Sequence, residues 1–322
     1  MIDNKLYTLM KVYECRNYTQ AARQLSMTQP AVSQHIKALE KELGVKLFEH
    51  ANGSLLATRE CVEAVKFAQK IAGLYNNLYQ SMRDNMSRTN HLTIGITHTA
   101  ESNAIAEALA KYCARNEGTS IKMITDSISN LYTMLKTYEL DLAIVESRVP
   151  YPNMHYLLLD TDYLVLAVSQ DHPFAGRSMV TLGDLQKERM ILRLPGSNTR
   201  NLFEAQLESN NMSIKDFNVV LELDNLATIK DLVRQDFGVS ILARSVCQDE
   251  VRSGTLAVLP VENLSMMREI NIAYYGEFGQ PDVPHDIMKI YNETARLLKE
   301  KAGDKSQDLS PALFVMGLSL PP

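Results

Sequence analysis

The sequence of 322 residues has no tryptophan, only four cysteines, and few glycines and prolines. Cys15, Cys61, Cys113 and Cys247 lie far apart, form no CxxC pair and have no histidine at metal-ligand spacing. We therefore expect reduced cysteines, and neither a zinc site nor a disulfide framework. The sequence also lacks any run of about 18 uncharged apolar residues, and its N-terminus carries charges throughout, which argues against a membrane span and a secretory signal. These absences favour a cytoplasmic protein.

The composition is that of a soluble globular protein, with 45% hydrophobic and 22% charged residues. At roughly 100 to 200 residues per domain, the length predicts two or three domains. Residues 1–60 carry eight Lys or Arg against six Asp or Glu, whereas the whole chain has a net charge of −5. This charge difference fits a nucleic-acid-binding end joined to an acidic body, but it is too small to identify one.

Three short helices are predicted near the N-terminus. After the first, Thr19 is expected to cap a second helix over residues 20–25. Thr28 is expected to cap a third helix, which carries Pro30 in its first turn and ends at Gly44. Two helices joined by a short turn, the second with a polar outer face, predict a helix-turn-helix.

A wing and a long helix are predicted to follow. Polar residues 49–54, with Asn52 at the tip, precede the apolar stretch 55–58 and predict a short hairpin. Residues 58–88 contain no proline, and their apolar side chains recur every three or four positions. Such a helix can pair with its copy in a second subunit, which would place two reading heads on a pseudo-palindromic site. The alternative is that it folds back on its own chain.

From residue 92 onward, short apolar strands alternate with helical stretches, which predicts an α/β region. The predicted strands cover residues 92–97, 121–125, 141–146, 163–169, 190–194, 217–223, 239–243 and 269–276. The predicted helices between and after them cover residues 103–115, 130–138, 200–209, 226–235 and 285–301. If the last strand and helix return to complete the first lobe, two α/β lobes result, joined by two crossovers with a cleft between them.

Residues 18–40, YTQAARQLSMTQPAVSQHIKALE, and 43–48, LGVKLF, closely resemble the helix-turn-helix of LysR-type transcriptional regulators. The resemblance extends over nearly the whole chain. It implies a homodimeric or homotetrameric DNA-binding regulator whose two-lobed effector domain is similar to periplasmic solute-binding proteins and responds to a small co-inducer. Where the family usually has an arginine in the wing, this chain has His50. Because an imidazole is mostly uncharged at neutral pH, we expect a weaker wing contact with DNA.

The predicted fold class is α+β multidomain: an N-terminal winged helix-turn-helix, a long linker helix and a C-terminal two-lobed α/β effector domain. The predicted boundaries are residues 1–60 for the DNA-binding domain, 61–90 for the linker and dimerisation helix, and 91–303 for the effector-binding domain. Within the last, lobe I comprises about 91–162 and 268–303, and lobe II about 163–267. Residues 304–322 are predicted to be a tail, with a partner-binding or self-docking strand as the alternative.

The residues expected to contact DNA lie on the third helix, at helix N-termini and in the wing. Glutamine amides can bond bidentately to adenine, serine can bond a base or a phosphate, and helix N-termini bind phosphate oxygens. For any polar stripe, a merely solvated helix face is the alternative. The predicted DNA-binding residues are Thr19, Thr28, Gln29, Pro30, Ser33, Gln34, Lys37, His50 and Asn52.

The effector is expected beyond the carboxyl ends of the strands, where open α/β sheets bind ligands. The family resemblance implies that the turn after the first strand and the loop 197–200 take part. Simple helix capping explains each Ser or Thr equally well. Arg200 indicates an anionic effector, with a surface salt bridge as the alternative. The predicted effector-binding residues are Thr97, His98, Thr99, Ser127, Glu146, Ser197, Asn198, Thr199 and Arg200.

No GxSxG elbow, P-loop, GxGxxG after a strand or HExxH motif occurs, so we expect neither an enzyme nor a cofactor. The sequence predicts a DNA-binding transcriptional regulator controlled by a small molecule. Its expected partners are double-stranded DNA with a pseudo-palindromic operator, the effector, further copies of the chain and RNA polymerase, with no membrane. Two rivals are a solute-binding or ligand-sequestering protein and an α/β enzyme, for which His98 and Glu146 would be the acid/base pair.

Overall fold

The computed structural model describes residues 3–51, 54–87, 89–100, 103–146, 148–149, 151–276 and 282–301. Asn52, at the tip of the predicted wing, and the predicted tail 304–322 lie outside the described residues. The chain divides into two compact units. The first comprises residues 1–93, 118–122 and 132–141, and the second comprises residues 94–117, 123–131 and 142–322.

The first unit begins with three helices, a hairpin and a long helix, in the order that the sequence predicts. These elements are α1 (Asn4–Cys15), α2 (Tyr18–Gln24), α3 (Gln29–Leu43), β1 (Phe48–Ala51), β2 (Ser54–Ala57) and α4 (Arg59–Ser87). β1 and β2 pair antiparallel, with Phe48 opposite Ala57, so the predicted hairpin is confirmed.

A single apolar core holds these helices together. Leu9 and Val12 of α1, Val32 and Ile36 of α3 and Leu47 before the wing are all almost fully buried. Burying one such side chain contributes about 1.5–3 kcal/mol, so the core supplies the favourable free energy that short isolated helices lack. The pattern of these residues therefore fixes which face of α3 is turned inward.

Gly73 of α4 is buried against a carbonyl of the same unit. A Cβ atom built on Gly73 would lie 1.8 Å from the backbone oxygen of Thr137, which no larger side chain can tolerate. The helix and the segment around Thr137 thus approach closely because position 73 has no side chain. The predicted helix 58–88 is confirmed as α4, and part of its surface is covered by this segment of its own chain.

The remaining elements alternate between strands and helices. The strands are β3 (Asn90–Ile96), β4 (Thr119–Thr125), β5 (Leu142–Val145), β6 (Met154–Ser169), β7 (Arg189–Arg193), β8 (Asn218–Leu223), β9 (Ser240–Ala243), β10 (Leu256–Leu259) and β11 (Met267–Tyr275). The helices are α5 (Asn103–Arg115), α6 (Ile128–Lys136), α7 (Leu182–Leu185), α8 (Asn198–Ser209), α9 (Leu226–Arg234), α10 (Gln248–Arg252) and α11 (Asp282–Lys301). Two 3-10 helices, Ile214–Asp216 and Arg244–Cys247, precede β8 and α10.

Parallel and antiparallel pairing combine in this region. Seven strands form a sheet in the order β10-β6-β11-β5-β3-β4, with β9 also paired to β6. β3 and β5 are parallel, as are β7 and β8, which confirms the predicted βα pattern for these pairs. β11 pairs antiparallel with both β5 and β6, and β6 continues beyond that contact to pair with β9 and β10.

The prediction for β6 was too short. The expected strand began at residue 163, whereas β6 begins at Met154 and runs without interruption to Ser169. Its first half mixes exposed, half-buried and buried side chains, whereas residues 164–169 of its second half are continuously buried. Apolar periodicity detected only the buried half, because the partner strand β11 that stabilises the first half is remote in sequence.

Among the described residues, no helix combines the length and the apolar character needed to cross a membrane. Within the same residues, no group of three or more His, Cys, Asp or Glu side chains is placed to hold a metal ion.

Candidate functional site

α3 has two faces of opposite character. Val32, Ile36 and Leu39 are buried in the core of the first unit, with at most 4% of each residue exposed. The outer face presents Gln34 and Lys37, both exposed, while Ser33 is half-buried at the border. The 3.6-residue period of the helix produces this separation directly from the sequence.

The start and end of α3 follow from capping. The Thr28 side chain accepts a hydrogen bond from the backbone N–H of Ala31 at 3.3 Å, Pro30 lies in the first turn, and Gly44 ends the helix with a φ of 71°. The predicted cap Thr28 is therefore confirmed. Its hydroxyl proton is not used in this bond, because here the oxygen is the acceptor.

The predicted cap of α2 was wrong. α2 begins at Tyr18, and the side chain of Asn17 accepts the hydrogen bond from Gln20 N at 3.0 Å. Thr19 lies inside the first turn and is exposed. Asn and Thr are both good N-cap residues, so the sequence alone did not decide between positions two residues apart.

Glu40 joins α3 to the wing. One carboxylate oxygen accepts from Leu47 N at 2.9 Å, and the other pairs with Lys46 Nζ at 3.2 Å. His50 lies on β1 and is exposed, on the strand that directly follows this junction. Glu40 thereby fixes the wing to the C-terminal half of α3.

The outer face of the helix-turn-helix can make contacts with a ligand. Gln29, Pro30, Gln34 and Lys37 are all exposed, and none of their side-chain polar atoms is hydrogen-bonded within the described part of the chain. Two amides and one ammonium group therefore face solvent along about two turns of helix. This is the donor and acceptor set that base edges and phosphates require.

Several predicted effector residues act as helix caps or turn residues. Thr97 Oγ1 accepts from Ala100 N at 3.3 Å, Ser127 Oγ accepts from Asn130 N at 3.4 Å, and Ser197 Oγ accepts from Arg200 N at 3.3 Å. These three side chains therefore cap helices or turns, and their role toward an effector stays a prediction. His98 is exposed and lies near Asp126. Hydrogen bonds from the Asn130 side chain and Ser127 N lower the pKa of that carboxyl, and His98 contributes to the shift.

Three other predicted residues lie together, with Thr99 and Asn198 both in contact with the carboxylate of Glu146. The Glu146 side chain, 1% exposed, accepts a hydrogen bond from the hydroxyl of Thr99. Asn198 Nδ2 lies 3.5 Å from the second oxygen of Glu146. Glu146 directly follows β5, Thr99 follows β3, and Asn198 begins α8. The strand-end argument thus brings Thr99, Glu146 and Asn198 together as expected.

The sequence interpretation missed the groups that complete this cluster. Arg268 Nη1 lies 3.3 Å from Glu146, and its Nη2 lies 2.9 Å from Asp162 and 3.0 Å from the backbone oxygen of Thr99. Ser245 Oγ donates to Asp162 at 2.7 Å. Asp162 and Arg268 are cross-strand neighbours on β6 and β11. Each is a charged residue beside apolar strand positions, a signal that could have drawn attention to both.

Arg200 does not face the Glu146 cluster as a free cation. Its guanidinium pairs with Glu204 at 2.5 Å and with Glu222 at 3.2 Å, and the side chain is 5% exposed. Together with Phe217 and Glu222 it lines an open cavity of about 570 Å³. The salt-bridge alternative therefore describes two of the guanidinium nitrogens, whereas Nη1 of Arg200 is buried without a hydrogen-bond partner among the described residues. The role of Arg200 toward an anion stays a prediction.

Thr199, beside Arg200, is different. It is 3% exposed, and its hydroxyl oxygen has no hydrogen-bond partner among the described residues. Nε of Arg268 is likewise buried and without a partner in the described chain. Buried polar atoms normally have a hydrogen-bond partner. Thr199 Oγ1 and Arg268 Nε therefore need a partner that the described residues do not supply.

Two of the cysteines lie in environments that disfavour the reactive thiolate. Cys61 and Cys247 are fully buried, and burial raises the pKa of their thiols to about 11 and about 12, respectively. All four cysteines are free thiols, which confirms the expectation that they form no disulfide. Catalytic cysteines have lowered rather than raised pKa values, so these two buried thiols are structural.

Two family descriptions match the chain. The LysR substrate binding domain matches residues 87–283. The bacterial regulatory helix-turn-helix protein of the lysR family matches residues 4–61. Together they cover the helix-turn-helix, the wing and the region that contains the Glu146 cluster.

Individual proteins similar to this chain are also named transcriptional regulators. The probable RuBisCO transcriptional regulator of Phaeodactylum tricornutum is 24% identical over 272 residues, which is 83% of this chain and 89% of that protein. The HTH-type transcriptional regulator CbbR of Xanthobacter flavus is 27% identical, over 79% of this chain and 76% of its own length. The solved structure of CbnR, a LysR family transcriptional regulator, covers 92% of this chain and 99% of its own with a TM-score of 0.65. Since its sequence identity is 17%, this last likeness concerns the fold.

Proposed function

Because the chain belongs to the LysR family of bacterial regulatory helix-turn-helix proteins, which are DNA-binding transcriptional regulators and not enzymes, we propose that α3 reads its operator from the major groove. In this proposal Gln29, Ser33 and Gln34 contact base edges, and Lys37 contacts a phosphate. The N-termini of α2 and α3, with Thr19 and Thr28, lie against the backbone of the DNA. His50 and Asn52 of the wing make the flanking contacts.

The observation that carries this proposal is the separation of the two faces of α3. A helix whose inner face is fully buried is held rigidly, and its outer amides remain available because no described residue bonds them. Rigid presentation lowers the entropy cost of forming several contacts at once. A helix face that only contacts water would not require glutamine amides next to the turn of a helix-turn-helix.

A second copy of the chain is proposed to pair along α4. Phe67, Ile71, Leu74, Leu78 and Met82 of this helix are each 45% or more exposed, although they are apolar. Their spacing of three or four residues forms one stripe, and such a stripe is stable in water when a partner helix covers it. Two α3 helices related by a twofold axis would then fit a pseudo-palindromic operator.

The effector is proposed to bind where Thr99, Glu146, Asn198 and Thr199 lie. The support is the convergence of strand ends and a helix N-terminus at buried polar groups. A ligand there acts on DNA only through its different affinity for two arrangements of the protein. We place the protein in the cytoplasm, where it would meet the chromosome and RNA polymerase.

The test is a gel shift on DNA from upstream of the protein's own gene, carried out over a range of salt concentrations. Gln34→Ala and Gln29→Ala should each weaken binding by about 1–3 kcal/mol, roughly 5- to 150-fold in Kd. Lys37→Ala should weaken binding to all sequences and reduce the salt slope by about one. Gln248→Ala removes an exposed glutamine of α10 and serves as the matched control.

The rivals predict different results. A solute-binding or ligand-sequestering protein would show no sequence-specific shift, and the α3 variants would behave like Gln248→Ala. If specific binding with a steep salt dependence survives both glutamine substitutions, α3 is not the reading helix and the proposal is wrong.

A further inference from the structure

The buried cluster around Arg268 contains more negative than positive charge. Glu146 and Asp162 share this one guanidinium, and the side chains of all three are at least 92% buried. Asp162 is well compensated, because Tyr163 N at 2.8 Å and Ser245 Oγ at 2.7 Å add to its contact with Arg268. Glu146 is unevenly compensated: its Oε1 accepts from the Thr99 hydroxyl and lies 3.3 Å from Arg268 Nη1, whereas among the described residues Oε2 has only Asn198 Nδ2, at 3.5 Å. A buried carboxylate in such a setting attracts a cation or strong donor.

The start of α8, which lies beside Glu146, favours an anion rather than a cation. α8 is a helix of twelve residues, and its first backbone N–H groups, with the helix dipole, favour an anion. Ser197 satisfies only the N–H of Arg200. The buried Thr199 hydroxyl and Arg268 Nε have no partners among the described residues, and both can donate to an oxyanion. Asn198 connects the two sites, because its side chain reaches Glu146 from the first position of α8.

We propose that the effector is a zwitterion of the α-amino-acid type, with its ammonium group on Glu146 and its carboxylate on the start of α8 and Thr199. This inference rests on the proposed function, since it names the ligand class of the same site. A simple carboxylic acid would place its charge beside the undercompensated Glu146, and a simple amine would leave the donors of Thr199 and α8 unmatched. An α-amino acid carries both groups on one carbon and satisfies both sites together.

The first experiment uses the full-length protein and needs no variant. The melting temperature is measured with each of the common L-amino acids, and with the N-acetyl and the carboxamide derivative of each. At least one L-amino acid should raise the melting temperature, because a ligand that binds only the folded state stabilises it. Its N-acetyl derivative lacks the ammonium group, and its carboxamide lacks the carboxylate, so both should shift the melting temperature much less.

Two results overturn the inference. One is that no L-amino acid raises the melting temperature. The other is that an N-acetyl derivative stabilises as well as its parent, which would show that the site recognises the anion alone. Both results concern wild-type protein, so they do not depend on how any variant folds.

The second experiment assigns the ammonium site. Glu146→Gln keeps the shape and hydrogen-bonding capacity of the side chain but removes its charge, and it should weaken binding of the amino acid found above at least tenfold by calorimetry. Glu262→Gln changes an exposed glutamate and is the matched control, with unchanged affinity expected. Equal affinities of the Glu146→Gln variant and wild type would place the ammonium group elsewhere and overturn the assignment.

Failure of this inference can be told apart from failure of the proposed function. The gel shift with wild-type protein and no added ligand tests DNA recognition alone. If it shows specific binding while every amino acid is inert, only the ligand class is wrong. If specific binding is absent, the regulator proposal fails regardless of the melting results.

Discussion

Replacing Arg268 by methionine tests the central electrostatic feature of the second unit. The substitution retains a long apolar side chain but leaves Glu146 and Asp162, both almost fully buried, without their shared cation. Removing one partner of a buried ion pair typically costs about 3–5 kcal/mol, because the remaining charge is neither solvated nor paired. For a region of about 150–250 residues, 1 kcal/mol shifts the melting temperature by roughly 2–4 °C. The expected loss is therefore about 6–20 °C.

The assay is thermal unfolding followed by circular dichroism. Arg252→Met is the matched control, because Arg252 also pairs with an acidic residue but is half exposed, at 3.4 Å from Asp249. Exposed pairs contribute about 0.2–1 kcal/mol, so this control should remain close to wild type. Adding Glu146→Gln to Arg268→Met should restore part of the lost stability, since one of the two unpaired charges is then removed. A melting temperature of Arg268→Met equal to that of Arg252→Met would refute the reasoning.

Three further predictions concern the first unit. Gly73→Ala should lower the melting temperature although alanine favours helices by about 1 kcal/mol, because the new Cβ would overlap the backbone oxygen of Thr137; a stabilised variant would contradict this packing. Burial raises the pKa of Asp141 despite a hydrogen bond from the backbone. The charged form therefore costs stability near neutral pH, and Asp141→Asn should melt higher at about pH 7, with the gain vanishing as the pH falls toward about 4; a gain that persists in acid would argue against this cause. A thiol reagent should label half-buried Cys15 quickly in the folded protein, and should label fully buried Cys61 only after denaturation. The labelling is followed by absorbance, and equal rates for the two thiols would disprove the burial argument.

Much of the proposed DNA-binding surface could be predicted without coordinates. The apolar period of Val32, Ile36 and Leu39 determined which face of α3 is buried, and so which side chains remain outside. Thr28 and Gly44 marked the ends of that helix correctly. These are local effects, since caps and periodicity act within a few residues. Thr19 was misplaced because Asn17 and Thr19 are alternative caps of similar strength.

The proposed effector site depends on long-range contacts that local sequence patterns predict only in part. The rule that ligands lie at strand ends correctly brought Thr99, Glu146 and Asn198 together. It did not show that Arg200 forms ion pairs with Glu204 and Glu222, and the two carboxylate partners of Arg268 were not foreseen.

The sequence by itself determined the helix-turn-helix, its exposed face, the long helix and the alternation of strands and helices, because each is set by neighbours along the chain. The tertiary structure decided which charges neutralise one another. Arg268 meets Glu146 across 122 positions of sequence and Asp162 across 106. A charged residue interacts with whatever the fold brings within a few ångströms, and no local pattern records that distance.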